Sequence, residues 1–498
     1  MQKVVIVGAG VSGLSAGILA LKKGFEVVIY EKNNQVGGNL TSWKRDNLVI
    51  DGCIHWLTGT NENSSTYKLW QEVGAFNEKE VLRLDRLFTN YYDGEKAVLY
   101  RDIDKTEQHL ISLSKEDEKE IKTFILAVKK IQYLLGVGGE NHDKKASILD
   151  VISFLPYLKK YYSLSLFNLA KRFKNKTIGG LFTNYIGGQF SSLALIITYA
   201  NFTAGNADLI KGGSKIMADN ILNTYLSLGG KIELNCGVKK ANIVNGKVLS
   251  ITLDNNKDVY LDYLIATGDT KFIYNNLLNV EMPSKLKKWY NNKDALLFSS
   301  MGIAFKVDKE KVPFLVDCSF NIPFKYKKEL KILHLNLREY SYDDAFISNG
   351  KTIIQTLTFL NEQECLKFIN LRKNLTQYKI EKERICNLYK NCIESVLPSL
   401  KGSIEVVDCW TPATYKRYNN SKIGSWMSFV VPKNTIPLKC SNLVKELSNV
   451  IVASQWLSAP GGLPICVEQG YLAVKNLTKL AKKQKTYKFK YQMANNNN

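Results

Sequence analysis

No Cys-x-x-Cys pair occurs among the nine cysteines of this 498-residue chain, and it holds only four histidines. Neither a disulfide framework nor a metal site is expected, and a reducing cytoplasm is the expected compartment. No apolar run approaches the ~18 residues needed to span a bilayer; Leu193-Ala194-Leu195-Ile196-Ile197 is far too short. The first strand-like run begins by Lys3, leaving no room for a signal peptide ahead of it. Acidic residues are scarce, with 46 Asp and Glu against 68 Lys and Arg, for a formal charge of +22. Such a balance admits nucleic acid, anionic membranes or acidic substrates as partners. No nucleic-acid motif accompanies it, and the chain's richness in Lys and Asn matches a compositional bias, so no nucleic-acid partner is expected. The most local absence runs from Val151 to Ala207, where there is no Asp or Glu at all.

That acid-free span is dense in Phe154, Tyr157, Tyr161, Tyr162, Phe167, Phe173, Phe182, Tyr185 and Phe190, interleaved with Lys159, Lys160, Lys171, Arg172, Lys174 and Lys176. A basic helix carrying aromatics suits a membrane interface. An ordinary helical cap with an aromatic core would read the same way. The uninterrupted length of the segment favours contact with a membrane or an apolar ligand.

The opening of the chain is more specific. Val4-Val5-Ile6-Val7 reads as a buried parallel strand. Gly8, Gly10 and Gly13 follow at the spacing of a dinucleotide fingerprint: a tight turn, a close approach to pyrophosphate, and close helix packing. The pyrophosphate is expected at the N-terminus of the helix that begins Val11-Ser12. Glu31 ends the next apolar run, Val27 to Tyr30, 18 residues past Gly13, where a carboxylate receives ribose hydroxyls. Gly136-Val137-Gly138-Gly139 follows no strand and reads as a loop, so no second dinucleotide domain is expected.

Farther on, 86–204 reads as largely helical, and α/β patterning returns near Lys211-Gly212-Gly213. A helix is expected over Lys215–Leu228, ended by Gly229-Gly230. Strands are expected at 231–234, 238–244, 248–253 and 259–265, the last running into Ala266-Thr267-Gly268-Asp269. A second, mostly antiparallel sheet is expected from 301–307, 332–337 and 352–359. The fold class is α/β: a discontinuous, dinucleotide-binding Rossmann-like domain from 1–85, 205–295 and 436–480, and a mixed-sheet substrate domain with a helical cap from 86–204 and 296–435. A basic polar tail, 481–498, closes the chain and offers a second candidate contact with anionic lipid.

These pieces in this order resemble the FAD-dependent carotenoid (phytoene) desaturase, carotenoid isomerase and retinol saturase family, within the flavin amine oxidase superfamily. The N-terminal signature matches at Gly8, Gly10, Gly13, Leu14, Gly24, Glu31, Gly37 and Gly38. Asp51-Gly52-Cys53-Ile54-His55 matches an Asp-x-Gly/Cys-x-His block, and Thr411-Pro412-Ala413-Thr414 with Arg417-Tyr418 and Gly424-Ser425 a later one. Gln455-Trp456 with Pro460-Gly461-Gly462 is similar to the C-terminal flavin motif. The chain departs from many relatives at Asn39, where Arg or Lys touches the phosphates; Lys44 or Arg45 is the expected substitute.

The resemblance implies FAD. Gly8, Gly10, Val11, Ser12, Gly13, Gly37, Gly38 and Asn39 would surround the pyrophosphate, Glu31 and Lys32 the adenosine ribose, and the Val238 main chain the adenine. Gln455, Trp456, Gly461, Gly462 and Leu463 would meet the isoalloxazine, with Pro464 pre-set for the first helical turn. His55 would border the flavin as the one titratable side chain inside a motif; exchanging a proton with substrate carbon and orienting its loop are both open roles. Trp56, Trp426 and Trp456 are candidates to line an apolar tunnel. Arg417 and Tyr418 are expected to tie the two domains together. The implied activity is oxidoreduction of carbon–carbon bonds (desaturation, saturation or isomerisation) in a polyene, isoprenoid or other long apolar substrate. Electrons would pass to oxygen, a quinone or another carrier. Two other readings stand beside it: a flavin amine oxidase acting on a C–N bond, and a non-catalytic prenyl- or lipid-binding relative of the GDP-dissociation-inhibitor type.

Overall fold

The computed structural model describes residues 1–135, 148–314, 316–431 and 435–496; the glycine-rich stretch Gly136 to Gly139 lies outside them. Val4, Ile6 and Val27 pack on one face of a sheet while Val5 packs on the other, so strands buried on both sides read as continuous apolar runs. That sheet has five parallel strands in the order 231–233, 26–30, 3–7, 263–266 and 450–452. It is assembled from three separated stretches of chain, and Lys3–Val7 lies at its centre. Ligands in open α/β sheets bind beyond the carboxyl ends of the strands where the order reverses. Gly8, Glu31 and Thr267 directly follow three of those ends.

The stretch expected as one strand over 259–265 divides. Asp258–Tyr260 closes an antiparallel meander with Lys247–Leu253 and Val238–Val244, whereas Tyr263–Ala266 joins the parallel sheet. Asp262 makes the corner: its carboxylate accepts from the Lys3 amide at 2.7 Å, and its carbonyl accepts from the Asn449 side chain at 2.8 Å.

A second sheet has seven strands in the order 405–410, 299–308, 351–360, 334–339, 317–321, 86–92 and 95–100. All neighbours are antiparallel except 317–321 with 86–92. The reading of 86–204 as largely helical therefore misses a hairpin at its start. Its turn, Asp93-Gly94, sits at positive φ, and Leu87 to Asn90 are buried in succession, so the strand carries no alternating pattern to reveal it.

The helices Ile103–Leu113, Glu118–Leu135, Ile148–Tyr162, Leu166–Ala170, Lys176–Asn184 and Ser192–Thr203 cap this sheet. Phe154, Tyr161, Phe173 and Phe182 of the acid-free span lie in the cap's own buried core. Its cations find acids elsewhere: Lys160 and Arg172 meet Glu120 at 3.0 and 3.4 Å, and Lys174 meets Glu116 at 3.1 Å. Much of the aromatic and basic patterning is thus ordinary core and ion pairing.

The closing helix, Leu463–Asn496, packs along Val11–Lys22. The segment expected as a polar tail from 481 continues this helix to Asn496, since its Lys, Gln and Ala residues are good helix formers. The side chains of Lys485, Lys488 and Lys490 lie outside those described. Among the described residues no helix is long and apolar enough to cross a membrane.

Candidate functional site

A cavity of about 1010 Å³ opens where the two sheets meet. Pockets for single small molecules run to ~1,000 Å³, so this one has room for a dinucleotide with part of a substrate. Gly8, Gly10, Val11, Ser12, Glu31, Lys32, Gly37, Gly38, Asn39, His55, Val238, Gln455, Trp456, Gly461, Gly462 and Leu463 all line it. Gly13 does not. A Cβ there would run into the carbonyl oxygen of Gly8, so its role is to let the first helix sit tightly on the strand turn.

Helix Val11–Lys22 starts beside the cavity with no acidic residue in its first turn and no side-chain cap. Its first N–H groups and its dipole favour an anion. The Glu31 carboxylate is held rigidly: one oxygen accepts from the Ala9 amide at 2.8 Å, the other from the Asn33 amide and side chain at 2.8 and 2.7 Å. The strand end bearing the acid and the glycine turn are thereby one rigid unit. Beside it, Lys32 donates to the Arg417 carbonyl at 2.8 Å and Asn33 to the Tyr418 carbonyl at 3.0 Å. The Arg417 and Tyr418 carbonyls thereby join the end of helix Pro412–Asn419 to the residues after strand 26–30, while the Arg417 guanidinium stacks on the Tyr418 ring.

Asn39 ties loops together, donating to the Trp426 carbonyl at 3.1 Å and accepting from Asn419 at 3.3 Å. Lys44 and Arg45 do not replace the missing cation. They stand on the exposed strand Ser42–Arg45, away from the cavity lining, and Arg45 pairs with Asp408 at 3.0 Å. At the other chain end, the Gln455 side chain accepts from the Gly462 amide at 2.7 Å and donates to the Trp426 carbonyl at 3.1 Å, which fixes the turn that opens the closing helix.

The far part of the cavity is apolar. Trp56, Phe88, Tyr162, Tyr185, Phe190, Leu193 and Ile197 line it, with Phe359 and Trp426 opposite. The acid-free span therefore divides between core and cavity wall.

His55 points toward a cluster that sequence reading missed. Arg338, almost fully buried, donates to Asp317 at 2.5 Å, to the His55 carbonyl at 3.2 Å and to the Tyr342 hydroxyl at 3.2 Å; its Nη1 also lies 3.2 Å from His55 Nδ1. Burial alone would raise the Asp317 carboxyl, but Arg338 and His55 outweigh it and hold it below the usual range. A depressed carboxylate adds stability that is present above its unfolded pKa and lost as pH falls through the folded value. The contact should hold across neutral pH and weaken only below about pH 4. A thermal midpoint that falls between about pH 7 and pH 5, with Asp317→Asn removing the fall, would contradict this assignment of the charge. The nearest signal in the sequence was His55 within its motif; Asp317 and Arg338 carry none, because strand register alone places them opposite each other.

Comparison with known proteins agrees with this geometry. Residues 6–73 match the NAD(P)-binding Rossmann-like domain. Two 4,4'-diaponeurosporene oxygenases of Staphylococcus aureus are 20% and 21% identical over 503 residues, spanning 94% of this chain and 96% of theirs. Among solved structures, an oxidoreductase from Methanosarcina mazei superposes with a TM-score of 0.58 at 16% identity, covering 96% of this chain and all of the other. Putrescine oxidase bound to putrescine gives 0.54 at 12% identity, covering 96% and 99%. The chain thus opens with an NAD(P)-binding Rossmann-like segment, shares the fold of these solved oxidases and oxidoreductases, and counts carotenoid-related oxygenases among its homologues.

Proposed function

We propose that the protein is an FAD-dependent oxidoreductase acting on carbon–carbon bonds of a polyene, isoprenoid or other long apolar chain. The observation that carries the reading is a single cavity joining the Glu31 and glycine-turn region to an aromatic lobe. The residues suit FAD. A Cβ on Gly10 would meet no protein atom nearer than 3.9 Å, so its open side faces the cavity and needs no glycine for packing. Two helix N-termini, at Val11 and Leu463, flank the same space.

Gly10, Val11, Ser12, Gly37 and Gly38 would hold the pyrophosphate, Glu31 the ribose, and the Val238 main chain the adenine. Gln455, Trp456 and the Gly461-Gly462-Leu463 turn would meet the flavin ring. FAD bound there supplies hydride exchange with carbon, needing neither metal nor protein nucleophile. The Leu463 helix N-terminus favours negative charge by ~0.3–1 kcal/mol, and by ~2 kcal/mol where partly buried. The aromatic wall excludes water and orients the chain. His55 is the cavity's candidate for moving a proton, with Arg338 and the strand pair fixing its ring.

An amine substrate fits less well, because Asp317, the carboxylate beside His55, is already neutralised by Arg338. Anaerobic titration of the purified flavoprotein decides between the two readings. Polyenes or long isoprenoids should bleach the flavin; bleaching by amines and not by isoprenoids would overturn the proposal.

We also propose that the protein docks reversibly on an anionic membrane surface. Ile152, Leu155 and Phe167 are exposed on the cap beside Lys159 and Lys171, and Ile197 is both exposed and part of the cavity wall. Each Lys near an anionic leaflet contributes ~1 kcal/mol. The protein should sediment with phosphatidylglycerol vesicles at low salt and be released by high salt. Equal behaviour with neutral vesicles would count against docking.

A further inference from the structure

We propose that the aromatic lobe contains a polar anchor selecting an apolar chain that bears one uncharged oxygen function, an alcohol or a carbonyl. The inference rests on the reading of the lobe as a site for a long apolar substrate, and adds which end of that substrate is recognised and how.

His55, Asp317 and Arg338 all line the cavity and form one hydrogen-bonded cluster in its wall. Arg338 and Asp317 face each other in register on neighbouring strands, and Asn336, two residues before Arg338, shares its face of the strand. Much of this cluster has a plain structural account, since Arg338 bonds Asp317, the His55 carbonyl and the Tyr342 hydroxyl.

Three of its atoms have no such account. The Tyr185 hydroxyl, Asn336 Oδ1 and Arg338 Nε are buried without a hydrogen-bond partner in the protein. Tyr185 is only 8% exposed and packs between Trp56 and Phe88, with ring centroids 5.5 and 4.9 Å away. The Asn336 amide nitrogen is committed to the Asn184 carbonyl at 2.9 Å, which leaves its oxygen as an acceptor. All three residues line the cavity. Buried polar groups are ordinarily satisfied, and a group left unpaired in a wall of aromatic rings costs stability. A ligand hydroxyl accepts from Tyr185 and donates to Asn336; a carbonyl takes the first bond alone.

Net charge decides which oxygen function belongs there. Arg338 is already neutralised by Asp317 at 2.5 Å. A carboxylate would bring a second anion beside Asp317, and an ammonium would meet Arg338. An uncharged oxygen meets neither penalty.

The test uses the full-length protein with the cofactor it retains on purification, and four fifteen-carbon probes: farnesol, farnesene, farnesoic acid and farnesylamine. Isothermal titration should show farnesol binding about tenfold more tightly than farnesene, with the acid and the amine no tighter than the hydrocarbon. Tyr185→Phe should reduce the alcohol's advantage to about twofold or less, leaving farnesene affinity unchanged and the thermal midpoint of the free protein no lower than the parent's. A purely structural hydroxyl would move neither ratio. Asp317→Asn leaves the Arg338 charge uncompensated and should move the preference to farnesoic acid. Should that variant fail to fold, Tyr185→Phe still decides. Equal binding of farnesol and farnesene to the parent, or an alcohol advantage untouched by Tyr185→Phe, overturns the anchor alone. Failure of all four probes to bind overturns the apolar-chain reading, and the anchor with it.

Discussion

Gly10→Val is expected to fold with the parent's thermal midpoint and to emerge from purification without flavin. Gly10 has φ −74° and ψ 177°, a conformation open to any residue. Its Cβ would have only the Gly37 carbonyl and Gly38 Cα nearby, both at 3.9 Å, and the valine branches would extend into the space proposed for pyrophosphate. Two neighbouring substitutions should behave differently. In Gly13→Ala the new methyl collides with the Gly8 carbonyl oxygen, which is backbone and cannot swing aside. Overpacking of that kind costs about 1–3 kcal/mol and displaces the helix. Gly461→Asp places a Cβ 2.7 Å from Gln455 Oε1 and 3.0 Å from the Ser428 amide at φ +84°, so it damages the turn as well as the site. Absorbance at 450 nm with a thermal melt separates these cases. A Gly10→Val protein as yellow as the parent would remove the glycine turn from the proposed binding site.

The largest loss of stability is expected from Asp51→Ala. Asp51 belongs to the block that carries His55, and it is buried. Its carboxylate accepts from the Cys53 amide at 2.9 Å, the Ile54 amide at 3.3 Å, and the Ser214 amide and hydroxyl at 2.6 Å each, with Ser42 Oγ at 3.4 Å. One side chain thus joins the His55 loop and the adjacent strand Ser42–Arg45 to the start of helix Gly213–Ser227, with Ser214 lying 163 residues farther along the chain. Removing it strands several buried donors, each worth about 1–3 kcal/mol when left unpaired. A loss of about 3 kcal/mol or more is expected, read as a fall of several degrees in thermal midpoint together with flavin loss. Asp51→Asn, which keeps acceptor oxygen, should recover part of it. A loss under about 1 kcal/mol for the alanine variant would show that the loop is held by other contacts.

The motif block was visible in the sequence, but this use of its aspartate was not. Motif spacing reports residues that lie close along the chain, whereas Asp51 and Ser214 meet only once the tertiary fold is formed. The same holds for Asp317 and Arg338, whose pairing depends on strand register, and for Tyr185, which reaches the cluster from the turn that ends cap helix Lys176–Asn184. Composition misled in a complementary way. The acid-free span carries one aromatic signature, yet Phe182 is core and Phe190 is cavity wall. Its cations looked unopposed because Glu116 and Glu120 stand on another helix. Lys44 and Arg45 were near enough to Asn39 in sequence to suggest substitution, but the strand they occupy turns them to solvent.

The dinucleotide turn at Gly8 to Gly13, the acid at Glu31 and the helix opening at Gly461-Gly462 could be read directly, because tight turns and helix starts are dictated by residues a few positions apart. Which apolar residues become wall rather than core, how a buried arginine is neutralised, and which polar atoms go unpaired in the lobe were decided only by the packing of two sheets and a cap. Those outcomes depend on contacts across hundreds of residues, and no local pattern encodes them.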